Sequence, residues 1–169
     1  ILEKANVASF NIQAGWHESP RPLVQQWVPE GAFVYLAEEI KKVSTKPVAA
    51  GYRLKDPKMA EEIIATGKAD IIGMARQLIA DAEWANKTKD GKANEIRKCI
   101  TCCRCMDDNF VGVPITCSVN TNLEGIPLTP TDRPKRVMVI GGGPSGLEAA
   151  RIAKLRGHNV VVYDKGKRL

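Results

Sequence analysis

All five cysteines of the chain lie between Cys99 and Cys117, and four of them, Cys99, Cys102, Cys105 and Cys117, form a C-x2-C-x2-C-x11-C series. Thiolate is a soft ligand, so the series points to zinc or to an iron–sulfur cluster. Three cysteines two residues apart wrap three corners of a compact cubane, and a later one takes the fourth. Structural zinc sites more often use two separated C-x2-C knuckles. A triplet plus a single favours a 4Fe–4S cluster, with zinc as the alternative and a disulfide framework behind both. Cys103 does not easily point at the same cluster as Cys102 and reads as a small buried or spare thiol. Asp107 and Asp108 read as a solvated turn.

A second constellation lies in VMVIGGGPSGLEAARIAKLRGHNVVVYD, where Gly141, Gly143 and Gly146 form G-x-G-x-x-G. Alone that pattern is weak. Here it follows a strand, opens a helix, and is followed by Asp164 at the end of the next strand. Gly141 permits the tight turn, Gly143 lets backbone approach a pyrophosphate, and Gly146 allows helix–strand packing. The helix N-terminus adds N–H donors, and Asp164 suits ribose hydroxyls. The pattern predicts binding of a dinucleotide or ADP. His158, in the helix-to-strand turn, reads as structural.

The third set lies at strand ends. PVAAGYR and DIIGMAR end strands at Gly51 and Gly73, and Ala75 and Arg76 begin the next helix. Glycine there lets amides reach an anion, and arginine at a helix start can hold phosphate by a bidentate pair. An ordinary surface salt bridge explains Arg76 equally well. His17, in AGWHESP, is a weak catalytic candidate; a packed loop residue is the blander reading. Trp27 and Trp84 read as packing residues.

The elements that must position these groups alternate in period. ASFNIQAG, KPVAAG and ADIIGM read as strands. GAFVYLAEEIKKV places Phe33, Leu36, Ala37, Ile40 and Val43 on one helical face. A second helix has Asp56 as N-cap, Pro57 in its first turn and Gly67 past its end. ARQLIADAEWANK reads as a third. Parallel strands alternating with amphipathic helices make β/α units. Three such units cannot close a barrel, and one βαβ unit cannot bury both faces of a sheet, so the sequence reads as an internal piece of a longer chain.

The formal net charge is +6, but acidic and basic residues are interspersed and aromatics make up 5%. That argues against a nucleic-acid platform. No apolar run reaches membrane-spanning length, and no signal peptide is evident. A cytoplasmic protein with a small-molecule substrate is expected, with the remainder of its own chain and a homo-oligomer as candidate partners.

Taken in order, these features resemble the iron–sulfur flavoenzymes of the Old Yellow Enzyme superfamily, which include 2,4-dienoyl-CoA reductase, enoate reductases and trimethylamine dehydrogenase. KADIIGMARQLIADAEWANK is similar to that family's eighth strand and following helix, KCITCCRC and PITCSVN to its cluster loop, and RVMVIGGGPSGLEAA to its flavin or ADP domain. The resemblance implies an α/β chain in three parts. Residues 1–97 would be the C-terminal part of an FMN-binding (β/α)8 TIM barrel, 98–133 the iron–sulfur loop and linker, and 134–169 the start of a Rossmann-type FAD/NAD(P) domain.

It further implies that Cys99, Cys102, Cys105 and Cys117 ligate a 4Fe–4S cluster. Gly51, Gly73, Ala75 and Arg76 would cradle the FMN phosphate. Gly141, Gly143, Gly146 and Asp164 would hold the ADP part of FAD, or ADP itself. The implied reaction carries electrons from NAD(P)H through FAD, cluster and FMN to an activated C=C bond. An amine dehydrogenase running outward, or a non-catalytic zinc and nucleotide module, are the alternatives. Three departures stand out: Cys103 where asparagine is usual, Gln77 where proline is common, and Ala82 in place of a proline after aspartate.

Overall fold

The computed structural model describes residues 2–15, 19–20 and 25–166; His17 lies outside the described residues. The chain divides into two compact units, one running to Leu123 and the other from Glu124.

In the first unit β1 (Phe10–Asn11), β2 (Val48–Ala50) and β3 (Ile71–Ile72) form a parallel sheet in that order. Phe10 is paired with Val48, and Ala49 with Ile71. Asp70 fixes the entry to the sheet: its carboxylate accepts the Val48 N–H at 2.9 Å and the Lys41 ammonium at 2.7 Å. The core is Val34, Ala37, Val48, Ala50, Leu54, Ile63 and Ala69, with Phe10, Ile12, Met59 and Ile72 packed against it. Leu54 and Val48 are its largest fully buried side chains. Truncating Leu54 to alanine is expected to cost about 2–5 kcal/mol, by lost transfer energy and the cavity left behind.

Helix α1 (Val34–Val43) buries Val34 and Ala37, whereas Ile40 and Val43 are exposed. The expected apolar face is therefore rotated. Val34 and Ala37 lie one turn apart and let the helix approach β2 closely, so the larger side chains at 40 and 43 fall outside the contact. Helix α2 (Pro57–Ala65) has the expected punctuation: Asp56 accepts the Lys58 N–H at 2.8 Å, and Gly67 follows with φ +70°.

The single helix expected from ARQLIADAEWANK is two, α3 (Arg76–Ala80) and α4 (Trp84–Lys89). Asp81 breaks it with extended backbone, φ −150°. Its buried carboxylate accepts from the Arg97 N–H at 2.8 Å, the Glu83 N–H at 3.1 Å and the Lys87 ammonium at 2.7 Å. Those bonds replace the helical ones lost at the break. Trp84 packs as expected and donates Nε1–H to the Lys55 carbonyl at 2.9 Å. Trp27 does not: it is exposed, because its loop turns Val28 inward instead.

Helix α5 (Arg104–Phe110) follows the first cysteines. In the second unit β4 (Arg136–Ile140) and β5 (Asn159–Tyr163) pair in parallel around α6 (Pro144–Leu155). Alternate residues Val137, Val139, Val160 and Val162 are half-buried, while Met138, Ile140, Val161 and Tyr163 stand exposed on the opposite face. His158 is structural, its Nδ1 accepting the Lys135 N–H at 3.2 Å. Among the described residues no helix is long and apolar enough to cross a membrane.

Candidate functional site

The C-terminal ends of β1, β2 and β3 open into one cleft of about 460 Å³. Gln13 borders it from the first strand, Gly51 and Arg53 from the second, and Gly73, Ala75 and Arg76 from the third. Lys55 also lines the cleft, and no carboxylate does among the described residues. Lys55 is neutralised by Glu30 at 3.0 Å, which leaves the two arginines as the main source of positive potential.

Arg53 was not singled out by the sequence. Tyr52 and Arg53 are consecutive left-handed residues, with φ +67° and +57°, a conformation sparsely populated by side chains other than glycine. The turn sends the Arg53 guanidinium back to the Gln25 carbonyl, while its Nε is buried without a hydrogen-bond partner. A guanidinium lining a cleft that no described carboxylate borders suits an anion. Tyr52 braces the strand ends: its hydroxyl accepts the Ala14 N–H at 2.9 Å and donates to Gln13 Oε1, and its ring meets Phe33 edge-on at 6.0 Å. A Cβ on Gly51 or Gly73 would meet only ordinary contacts, at 3.7 and 3.6 Å. Packing within the chain does not demand glycine there, whereas close approach of a ligand to the backbone would.

Beside the cleft all five cysteines line a second, small pocket with Ser118 and Arg76. None is in a disulfide. Cys103, with a left-handed φ of +62° at the start of α5, lines the same pocket as Cys102. Among the described residues no three His, Cys, Asp or Glu side chains converge closely enough to hold a single metal ion. The five thiols nevertheless line one pocket, and an all-sulfur donor set suits zinc or an iron–sulfur cluster. The Cys102 thiol is held below its ordinary range, chiefly by the Ser118 hydroxyl at 3.3 Å. Burial pushes the Cys105 thiol up, reinforced by Cys99, with Arg76 opposing.

Buried polar residues fasten the loop that carries these thiols. Gln77, 4% exposed, accepts the Cys99 N–H and donates to the Arg97 carbonyl, both at 3.0 Å. Arg97 in turn donates to Asn120 Oδ1 at 2.7 Å, and Asn120 donates to the Ile79 carbonyl at 2.9 Å. Asp108, read from the sequence as part of a solvated turn, is 3% exposed. It accepts the Thr116 N–H at 2.9 Å and pairs with Arg104 at 3.0 Å, fixing the chain next to Cys117. The Thr116 hydroxyl, above all, holds its carboxyl below the usual range.

In the second unit Gly141 has φ +103°, as the tight turn requires. A Cβ on Gly146 would fall 2.0 Å from the Gly141 carbonyl oxygen, so the helix packs on the turn only with glycine there. Gly143, by contrast, faces open space. Asp164 accepts the Gly142 N–H at 2.7 Å and the Gly166 N–H at 2.6 Å, and these backbone bonds hold its carboxyl below the ordinary range.

Residues 14–95 match the NADH:flavin oxidoreductase / NADH oxidase family, and residues 139–169 match the NAD(P)-binding Rossmann-like domain. The chain belongs to the NADH:flavin oxidoreductase family. Its relatives include a metal reductase of Desulforamulus reducens, 44% identical over 97% of this chain and 25% of the relative. An NADH oxidase of Thermoanaerobacter brockii is 43% identical over 100% of this chain and 27% of its own. Among solved structures, a complex of 2-naphthoyl-CoA reductase superposes with a TM-score of 0.87 and 34% identity, covering 94% of this chain and 25% of that one. The chain thus spans about a quarter of the length of these relatives.

Within this NADH:flavin oxidoreductase chain the structure brings Gly51, Gly73, Ala75 and Arg76 to one cleft, and the four serial cysteines to the adjoining pocket. Sequence reasoning misses Tyr52 and Arg53, reads Asp108 as solvated, and notes Gln77 only as a departure from the family pattern. The position of Arg53, two residues past a strand-end glycine, is a signal that could have found it.

Proposed function

We propose that the chain supplies three parts of an NAD(P)H-dependent flavin and iron–sulfur oxidoreductase that reduces an electron-poor C=C bond. These are the phosphate end of an FMN site, the ligands of a 4Fe–4S cluster, and the ADP-binding turn of an FAD or ADP site. The observation that carries the reading is a shared wall: Arg76 borders both the cation-lined cleft and the five-thiol pocket. Placed side by side, the two sites suit a flavin and a one-electron relay working together.

In the cleft Arg53 and Arg76 would pair with phosphate oxygens, and Gly51, Gly73 and Ala75 would let backbone come close to them. Tyr52 holds the β1 and β2 ends at fixed spacing, so the cleft is formed before it is filled. Cys99, Cys102, Cys105 and Cys117 would hold the cluster, kept in place by Gln77 and Asp108. When bound, flavin supplies hydride and single-electron chemistry and the cluster supplies one-electron steps. In the second unit the open side of Gly143 would admit a pyrophosphate to the start of α6. Asp164 would accept from ribose hydroxyls with the lone pairs that Gly142 and Gly166 leave free.

The direction of reduction is supported by the relatives' names, NADH oxidase and 2-naphthoyl-CoA reductase. The test is anaerobic purification of the full-length protein, assay of iron, sulfide, zinc, FMN and FAD per chain, and NADH oxidation with cinnamate or an enoyl-CoA thioester as acceptor. The expected result is a full cluster complement, bound FMN and acceptor-dependent NADH oxidation. Zinc without flavin would refute the reading, and flavin reduced by an amine but not by NADH would reverse the electron flow.

A further inference from the structure

The Ala14 amide settles the polarity of a short run of side chains at the β1 side of the cleft. A backbone N–H can only donate, and this one donates to Tyr52 Oη at 2.9 Å. The hydroxyl therefore gives its own proton to the next acceptor, Gln13 Oε1. With its oxygen engaged, the Gln13 carboxamide turns Nε2 to Asn11 Oδ1, at 3.3 Å. Asn11 is then left to present Nδ2. One fixed donor at the start thus orders both carboxamides.

Asn11 ends β1 and Gln13 lies two residues on, so extended backbone puts both on one side. Both line the cleft, and both are exposed. Among the described residues, no further group accepts from Gln13 Nε2 and none accepts from Asn11 Nδ2. The β1 edge is therefore a row of uncharged N–H donors. The positive charge of the cleft lies elsewhere, with Arg53 after β2 and Arg76 after β3. Neighbouring strands are about 5 Å apart, so β1 stands one spacing or more from that charge. A ligand with its phosphate on the cationic side meets β1 with the neutral stretch that follows the phosphate.

We propose that Asn11 and Gln13 bind the ribityl hydroxyl oxygens of a flavin mononucleotide, and that Tyr52 is the positioning residue that turns their N–H groups toward the chain. The inference rests on the FMN reading of the cleft and extends it from the phosphate to the sugar-alcohol chain.

The test uses the full-length protein, stripped of flavin and titrated with FMN, riboflavin and lumiflavin by flavin fluorescence quenching. Riboflavin lacks the phosphate, and lumiflavin lacks the ribityl chain as well. Gln13→Ala and Asn11→Ala are each expected to weaken FMN and riboflavin by the same factor. That factor is about three- to tenfold, the range of one neutral hydrogen bond. Lumiflavin binding should stay unchanged, which also shows that each variant is folded. Tyr52→Phe keeps the ring against Phe33 and removes only the hydroxyl. It is expected to give the same pattern more weakly, because the Gln13 carboxamide is then free to turn.

Weakening of FMN alone would place the phosphate at β1 and overturn the proposal. Equal weakening of lumiflavin would reduce Asn11 and Gln13 to packing groups, and unchanged binding in both alanine variants would make them idle. Wild-type riboflavin affinity in Tyr52→Phe would overturn the positioning role. A wild-type protein that binds neither FMN nor riboflavin would instead refute the FMN reading, and this inference with it.

Discussion

The Gln77 carboxamide grips the chain on either side of Lys98, accepting the Cys99 N–H and donating to the Arg97 carbonyl, both at 3.0 Å. Gln77→Ala leaves two backbone groups without partners in a buried setting. The expected cost is about 1–3 kcal/mol of stability. Because the first cysteine of the series loses its anchor, iron per chain is expected to fall as well. Urea unfolding together with an iron assay checks both; unchanged iron with lowered stability would limit Gln77 to a structural role.

Asp81 makes the loop sensitive to acid. Burial alone would raise its carboxyl, but the Lys87 ammonium and the Arg97 and Glu83 N–H groups outweigh that and hold it below the ordinary range. A folded value below the unfolded one, about 3.9, gives stability that is complete above the unfolded value and lost as pH falls through the folded one. Asp81→Asn is therefore expected to lower the urea midpoint near pH 7 and flatten its fall toward about pH 3. Parallel pH profiles for the two proteins would argue against the assignment.

Arg53 lines the cleft, and its Nε is buried without a hydrogen-bond partner. Arg53→Gln keeps a donor but removes the charge, and is expected to weaken FMN by about ten- to a hundredfold, the range of a charge-assisted bond. Inorganic phosphate should compete with FMN in the wild type and much less in the variant. Flavin titration with and without phosphate measures both effects.

Gly146 packs against the Gly141 carbonyl with no space for a methyl group. Gly146→Ala must separate α6 from the turn, at a cost of about 1–3 kcal/mol by overpacking. Gly143→Ala meets open space and should leave stability unchanged while impairing ADP binding. Calorimetric ADP titration of both variants distinguishes the two glycines: stability should move with Gly146 and affinity with Gly143.

Local signals were legible where a single residue determines its own neighbourhood. Asp56, Pro57 and Gly67 set the ends of α2 because capping and left-handed turns are properties of a few consecutive residues. The glycine turn at Gly141 and Gly146 was legible for the same reason. Periodicity misplaced the buried face of α1, since both candidate stripes are apolar and only packing on β2 chooses Val34 and Ala37. It also ran one helix through Asp81, because the Arg97 and Lys87 partners that pay for the break lie 16 and 6 residues away.

Residue type and spacing are enough to mark the candidate donors: four thiols in series, strand-end glycines, an arginine at a helix start, and a glycine-rich turn before an acid. Which of them meet follows from the folded chain. Arg76 and Cys103 are 27 residues apart, and Tyr52 and Ala14 are 38 apart. Asp108 reads as surface until Thr116 folds onto it. Such contacts depend on where parallel strands end and how a loop packs back on a helix, so they arise from the assembled sheet rather than from any one stretch of the chain.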